Sequence, residues 1–305
     1  MNTTPVTGLR NVVNVERQAT ARGAVSSDGI VADESPRRQA GVQASDHALG
    51  NLPLEEYDRT HRIQPATTFW GRLGDSLQDW IEKRMMRASV LGDHPVFCNE
   101  HFKWVDDVEA GWAGVRSELD HVMQYRDQMP SFQDIVKEVG LIQSDDQWKT
   151  FFLMGVGMDC QENAKRCPKT MQLLTRIPNV STAFFSILSP GKHIPSHRGT
   201  WSGILRLHLG LLVPEPRAKV RIRVANQMCQ WQEGKCLVFD DTWNHEVWND
   251  TEGYRVVLFV DFERPLRRPW SWLNHLVMNL APLAPFLREA KGREKTWAEK
   301  MWGGK

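Results

Sequence analysis

Apolar positions follow two different periods along this chain, and the change between them falls near residue 181. In "DSLQDWIEKRMMRASVL", Leu77, Trp80, Ile81 and Arg84 recur at helical spacing. Within it "KRMMR" reads as a solvated helix edge beside two core methionines. "HPVFCNE" reads as extended. From Val105 the positions Val108, Trp112, Val115, Leu119, Val122 and Met123 recur at three and four, which predicts an amphipathic helix of about five turns. "WKTFFLM" at 148–154 reads as a strand. "CPKTMQLLTRI" reads as a helix with proline in its first turn, where a missing N–H costs nothing. From Ser181 to Phe262 the period becomes two: Val220, Ile222 and Val224 alternate with Arg221, Arg223 and Ala225. Short strands there are separated by the turn signals "SPGK", "QEGK" and "NDTEG". The pattern predicts a mainly β protein with flanking helices, its core a sandwich or jelly roll.

Three stretches follow from the same reading. Residues 1–66 are rich in Ser, Thr, Ala, Gly, Asp and Arg, and segments such as "SSDGIVADESPRRQAGVQASD" bury too little to offset chain entropy, so they are expected to be disordered. Residues 67–268 form the folded domain, helical at first, with the β core at about 145–268. Residues 269–305 return to helix.

Composition narrows the function. Lys and Arg number 38 against 37 Asp and Glu, a balance that excludes the basic footprint of a nucleic-acid binder. Mean hydropathy is −0.45, ordinary for a soluble protein. No window is apolar enough to span a bilayer, and the N-terminus lacks the apolar run of a secretion signal. The five cysteines (98, 160, 167, 229 and 236) form no C-x-x-C. Reduced thiols in a cytoplasmic protein are expected, although Cys160 with Cys167, or Cys229 with Cys236, could bridge.

Chemistry concentrates in the β region. Four of the ten histidines, His193, His197, His208 and His245, fall there. Arg206 in "ILRLHLGL" and Arg255 in "YRVVLFV" interrupt runs that should be buried. A buried guanidinium is costly unless paired. Either these arginines pair with Asp240, Asp241 or Asp261, or one of them grips the carboxylate of a ligand inside the barrel. Imidazole suits iron, and a keto acid bound at iron needs such an arginine. His245 lies one strand–turn–strand step before Arg255.

"FSILSPGKHIPSHRG", "LRLHLGLLVP" and "EGKCLVFDDTWNHEVWN…YRVVLFVDFERPL" resemble the aspartyl/asparaginyl β-hydroxylase family, which includes bacterial lipid A hydroxylase-like members. The resemblance covers about residues 145–268. It implies a double-stranded β-helix (jelly-roll, cupin-like) core and a dioxygenase using Fe(II), 2-oxoglutarate and O2 to hydroxylate an unactivated C–H, with release of succinate and CO2. It assigns His197 and His245 as iron ligands. It assigns Arg255 to the distal carboxylate of 2-oxoglutarate, with Ser186 as its hydroxyl helper, and Arg206 and His208 to the metal-proximal end. Trp148 would line that pocket. His193 would be a loop residue at the mouth. Gly199 stands where most relatives of this chemistry carry a third, carboxylate ligand. The family shares that glycine, which leaves the position to water; halide binding or a non-catalytic binding barrel are the alternatives. Asp240 and Asp241 either orient a ligand histidine or start a turn.

The substrate is open between a lipid acyl chain or other amphiphile and the Asp or Asn side chain of a peptide or carrier-bound amino acid. "PWSWLNHLVMNLAPLAPFL" (269–287) carries no formal charge and is flanked by Arg267, Arg268, Arg288, Lys291 and Arg293. Its prolines and Asn274 and Asn279 rule out a span. It either packs on the barrel or a twin subunit, or lies in a bilayer interface as a peripheral contact on the inner face of a membrane.

Overall fold

The computed structural model describes residues 69–142 and 144–303. The expected disorder of residues 1–66 lies outside the described residues. Among these, the strands are β1 (Val96–Phe97), β2 (Trp148–Met154), β3 (Val180–Leu188), β4 (His193–His197), β5 (Ile204–Leu212), β6 (Val220–Val224), β7 (Gln227–Gln230), β8 (Cys236–Phe239), β9 (His245–Asn249) and β10 (Arg255–Glu263). They build a six-stranded sheet, β1-β8-β5-β10-β3-β2, facing a four-stranded sheet, β4-β9-β6-β7. The pairings are antiparallel. From β3 onward the chain passes back and forth between the sheets, the winding of a double-stranded β-helix.

Alternation along the strands sorts each side chain to one face of the larger sheet. Phe185, Ile187, Leu207, Leu209, Leu258 and Val260 join one buried cluster with helical residues. Phe184, Leu188, Leu237, Phe239, Val257 and Phe259 join another with Ile222 and Val247 of the smaller sheet. This inner layer is not wholly apolar. By the same alternation Thr150, Ser186, Arg206, His208, Arg255 and Asp261 also project between the sheets, and that is where the candidate chemistry lies.

The helices are α1 (Phe69–Ala88), α2 (Val105–Ala110), α3 (Trp112–Val122), α4 (Phe132–Ile135), α5 (Gln161–Ala164), α6 (Pro168–Leu174), α7 (Trp270–Leu280) and α8 (Pro285–Trp302). The single long helix expected from Val105 is two helices broken at Gly111. The reason is a tertiary contact: a Cβ on Gly111 would stand 2.1 Å from Leu173 Cδ1, so the break lets α6 press against the chain there. The apolar face is as expected, with Val108, Val115, Leu119 and Val122 buried under the outer face of the larger sheet. Pro168 opens α6 as expected, and the buried Glu118 of α3 accepts hydrogen bonds from the Lys169 and Thr170 N–H groups at 2.7 and 2.8 Å. In α1, Met85 and Met86 are buried and Lys83, Arg84 and Arg87 exposed. All five cysteines are free thiols, so neither bridge forms.

The tail divides. α8 packs on the barrel, with Ala290 and Glu294 buried and Trp302 Nε1 donating to Asn163 Oδ1 at 2.8 Å. Glu294 Oε2 lacks a partner, and burial beside Asp159 pushes its carboxyl up to about 7. The folded state therefore holds the proton more tightly than the unfolded chain. The penalty on folding builds as pH rises from the ordinary carboxylate value toward about 7, is complete above it, and fades as pH falls. Glu294→Gln is expected to stabilise the protein by about 1–3 kcal/mol at pH 8 and by much less at pH 5. Thermal unfolding at the two pH values checks this; an equal gain at both would show that ionisation is not the cause.

Candidate active site

β4 and β9 pair so that His197 and His245 stand directly opposite each other. Their rings lie 4.1 Å apart between centroids, and both are buried. Each Nδ1–H donates to the carbonyl two residues back: His197 to Pro195 at 2.8 Å, His245 to Trp243 at 3.0 Å. That shared geometry fixes the tautomer and leaves both Nε2 lone pairs available. Burial pushes His197 down to about 4 and His245 well below its ordinary value, so both imidazoles are neutral.

No group of three or more His, Cys, Asp or Glu side chains is arranged to hold a metal among the described residues. Gly199 shows why the third place is empty of side chain. A Cβ there would lie 2.1 Å from Asp241 Oδ2 and 2.6 Å from Oδ1. The Gly199 N–H donates to the Asp241 carbonyl at 2.7 Å, which fastens the two backbones together. The carboxylate of Asp241 thus fills the space beside the glycine. Burial pushes its carboxyl up, to about 7, against the pull of Arg206. Its Oδ1 has no partner.

Arg206 is tied to protein carboxylates. Nε and Nη2 meet Asp261 at 2.8 and 3.1 Å, and Nη2 meets Asp241 Oδ2 at 2.8 Å. Its guanidinium lies over the Phe259 ring at 4.1 Å. The pairing alternative holds for this arginine. It does not hold for Arg255, which makes no ion pair with Asp240, Asp241 or Asp261; its Nε and Nη1 are buried without partners, and burial pushes it down to about 9. The guanidinium sits 4.4 Å over the Trp231 ring. His208, ringed by Phe239, Phe259 and Trp231, has no partner on either nitrogen. Trp231 Nε1 and Thr150 Oγ1 are likewise buried and unpartnered. Ser186 accepts from Trp148 Nε1 at 2.9 Å and stands opposite Thr150 and Val257 in the sheet.

Buried polar atoms are nearly always satisfied, so this concentration of unsatisfied donors between the sheets describes a receptor for something polar and anionic. Two free imidazole nitrogens suit iron, and an unpaired guanidinium suits a carboxylate. The donor set fits iron together with a small dicarboxylate.

Two expectations need correction or division. His193 is not a loop residue: it begins β4, exposed, stacked on Trp248 at 5.4 Å and hydrogen-bonded to Glu246 at 2.7 Å. Asp240 and Asp241 do different jobs. Asp240 Oδ1 accepts from Thr242 N and Oγ1, starting a turn, while its Oδ2 pairs with Arg264 at 2.5 Å. Asp241 faces Gly199 and Arg206. Thr150 and Trp231 were not singled out by the sequence. For Thr150 the strand alternation that places it beside Trp148 was the available signal; Trp231 lies outside any strand and had none.

The model of the aspartyl/asparaginyl beta-hydroxylase family matches residues 109–265. An ornithine lipid ester-linked acyl 2-hydroxylase from Rhizobium tropici is 46% identical over 227 residues, covering 74% of this chain and 81% of that protein. The human aspartyl/asparaginyl beta-hydroxylase is 33% identical over 78% of this chain, which spans only 32% of that longer protein. Among solved structures, a prolyl hydroxylase from Trichoplax adhaerens aligns with 70% of the chain at 11% identity and a TM-score of 0.38.

Proposed function

The chain belongs to the aspartyl/asparaginyl β-hydroxylase family, and from that premise we propose that it is an Fe(II)- and 2-oxoglutarate-dependent hydroxylase of lipid acyl chains. The observation that carries the chemistry is the opposition of His197 and His245, both with free Nε2, on the sheet that faces the one carrying the unpaired guanidinium of Arg255. Iron, 2-oxoglutarate and O2 together supply the oxidising power that replaces C–H by C–OH, with succinate and CO2 released.

The protein's own groups divide the remaining work. His197 and His245 would hold the iron in their neutral forms, oriented by Pro195 O and Trp243 O. Arg255 would bind the distal carboxylate of 2-oxoglutarate over the face of Trp231, with Ser186, Thr150 and Trp148 beside it. His208, both nitrogens uncommitted, would meet the cosubstrate's other end. Arg206 keeps Asp241 and Asp261 in place and Asp241 would hold a water where Gly199 leaves no ligand. The aromatic walls, Phe184, Phe239 and Phe259, would keep solvent out of the site when iron and cosubstrate are bound.

The acyl-chain substrate rests on the similarity to the Rhizobium tropici enzyme, which covers most of both chains. Such a substrate lives in a bilayer, so the protein would work peripherally at a membrane's inner face. Among the described residues no helix is long and apolar enough to cross a membrane.

The test is anaerobic. Fe(II) and 2-oxoglutarate added to metal-free protein are expected to give a weak visible band, of the kind iron–keto acid chelates show at imidazole sites. His245→Ala is expected to abolish it and to lower turnover by at least about a hundredfold. A band that survives the substitution would remove His245 from the metal. Mass spectrometry then separates substrates: a gain of one oxygen on extracted acyl lipids supports the lipid reading, and the same gain on an Asp- or Asn-containing peptide alone would replace it.

A further inference from the structure

α7 leaves much of its apolar surface in solvent. Its sequence, WSWLNHLVMNL, carries no formal charge, and the one residue it buries is polar: Asn274, 1% exposed. Trp272, Leu273, Leu276 and Leu280 stand in solvent, Trp272 at 65% exposed, and Leu283 continues the patch beyond the helix. A helix packed on a globular core normally leaves far less apolar surface uncovered.

Asn274 explains how this orientation is held. Its Nδ2 donates to Gly203 O at 2.8 Å and its Oδ1 accepts from Trp201 Nε1 at 3.0 Å. A Cβ on Gly203 would fall 1.8 Å from that Oδ1, so glycine is required for the helix to dock. The helix is fastened by these polar contacts and by Trp270, which packs against Met85, Met86 and Leu266, and Trp272, Leu273, Leu276 and Leu280 are left outward.

α1 adds to the same surface. The Trp80 and Trp270 rings meet edge to face at 6.0 Å. Leu77, Trp80, Arg84 and Arg87 share one exposed stripe of α1, apolar at one end and basic at the other. Arg84 lies over Trp80, and Arg268 over Trp272. Arg87, on the same stripe as Arg84, and Arg267, next to Arg268, are exposed as well. Two acids of this region are engaged, Glu82 with Arg198 at 2.7 Å and Glu263 with His275 at 2.9 Å.

Both helices hold the chain that leaves His197. Arg198 pairs with Glu82 of α1, Gln78 Nε2 donates to Thr200 O at 2.7 Å, and Trp201 and Gly203 are bound by Asn274 of α7. The apolar, arginine-flanked surface therefore lies beside the segment that leads out of the candidate metal site.

We propose that α1 and α7 together form a docking surface for an anionic lipid bilayer, seating the protein with the segment after His197 at the membrane. Large apolar and aromatic side chains flanked by exposed arginines match the acyl boundary below a layer of negative headgroups. The inference deepens the acyl-lipid reading by naming how such a substrate would be met, but its test needs no turnover.

Full-length protein is spun with vesicles of phosphatidylcholine, with and without phosphatidylglycerol. It is expected to sediment with the mixed vesicles. Leu276→Glu combined with Leu280→Glu is expected to lower partitioning by roughly tenfold or more. Arg84→Glu with Arg87→Glu is expected to remove the preference for phosphatidylglycerol, by roughly fivefold for each arginine. These side chains are exposed, and thermal unfolding verifies that the variants fold. Wild-type protein left in the supernatant, or double variants that bind like the parent, would overturn the proposal. So would sedimentation velocity showing a dimer that Leu276→Glu with Leu280→Glu splits, since the patch would then belong to a second copy. Vesicle binding without oxidation of any acyl lipid would leave the docking surface standing and remove the acyl-lipid reading.

Discussion

On the proposed reading, Arg255→Met is expected to yield a protein that is more stable than the parent when empty and nearly unable to use 2-oxoglutarate. Both effects have one cause. The guanidinium is 1% exposed, its Nε and Nη1 have no partner, and it lies over the face of Trp231. A charge in that condition is a liability to the fold and serves only when a carboxylate arrives. Methionine fills most of the volume without the charge. Stability of the ligand-free protein is expected to rise by about 1–3 kcal/mol, which is about 2–4 °C in melting temperature for each kcal/mol. Affinity for 2-oxoglutarate is expected to fall by about 10²–10³, the cost of losing one side of a buried charge pair. Melting curves without cosubstrate and a 2-oxoglutarate titration measure the two. A lower melting temperature with unchanged affinity would make Arg255 a structural residue and defeat its assigned role. His208 and Thr150, also unsatisfied, are expected to follow the same opposition more weakly.

That opposition explains which parts of the protein could be read from its sequence. Strands, their alternation and the jelly-roll class were legible because each strand must sort its side chains between two faces, a local constraint repeated at every residue. The interrupting arginines were legible as anomalies within apolar runs. Their fates were not, because Arg206 and Arg255 sit in similar local settings. What separates them is register: Arg206 lies opposite Asp261 across β5 and β10, whereas Arg255 lies opposite Leu188. The break at Gly111 depends on Leu173, and Trp231 enters the site from outside any strand. Neither leaves a mark in the nearby sequence. The tail is a third case. The composition of an uncharged helix with two asparagines does not say which apolar side chains are covered; the contacts of Asn274 with Gly203 and Trp201, and of Trp270 with Met85, Met86 and Leu266, decide which side looks outward.

Gly199 presents the sharpest instance of a long-range cause, and its substitution carries the second large effect. Gly199→Asp would supply the carboxylate that a three-ligand site uses, two residues after His197. It is nevertheless expected to destroy the site. The new Cβ would stand 2.1 Å from Asp241 Oδ2. Asp241 cannot readily yield, because its carbonyl holds the Gly199 N–H and its carboxylate is paired with Arg206. A second buried carboxylate would also repel the first. The single variant is expected to lose about 3 kcal/mol or more of stability and to form the iron–2-oxoglutarate band at least about a hundredfold less well. Combining it with Asp241→Gly removes the obstruction while Arg206 keeps Asp261, and is expected to recover most of the lost stability. Metal-free melting curves read the clash directly, apart from any effect on iron. A Gly199→Asp protein that melts with the parent and loads iron normally would show that Asp241 moves aside freely. The empty third position would then owe nothing to the carboxylate beside it. If only the double variant recovers, the glycine and Asp241 are one device: the fold has put a carboxylate beside the metal position by way of β9's approach rather than through residue 199.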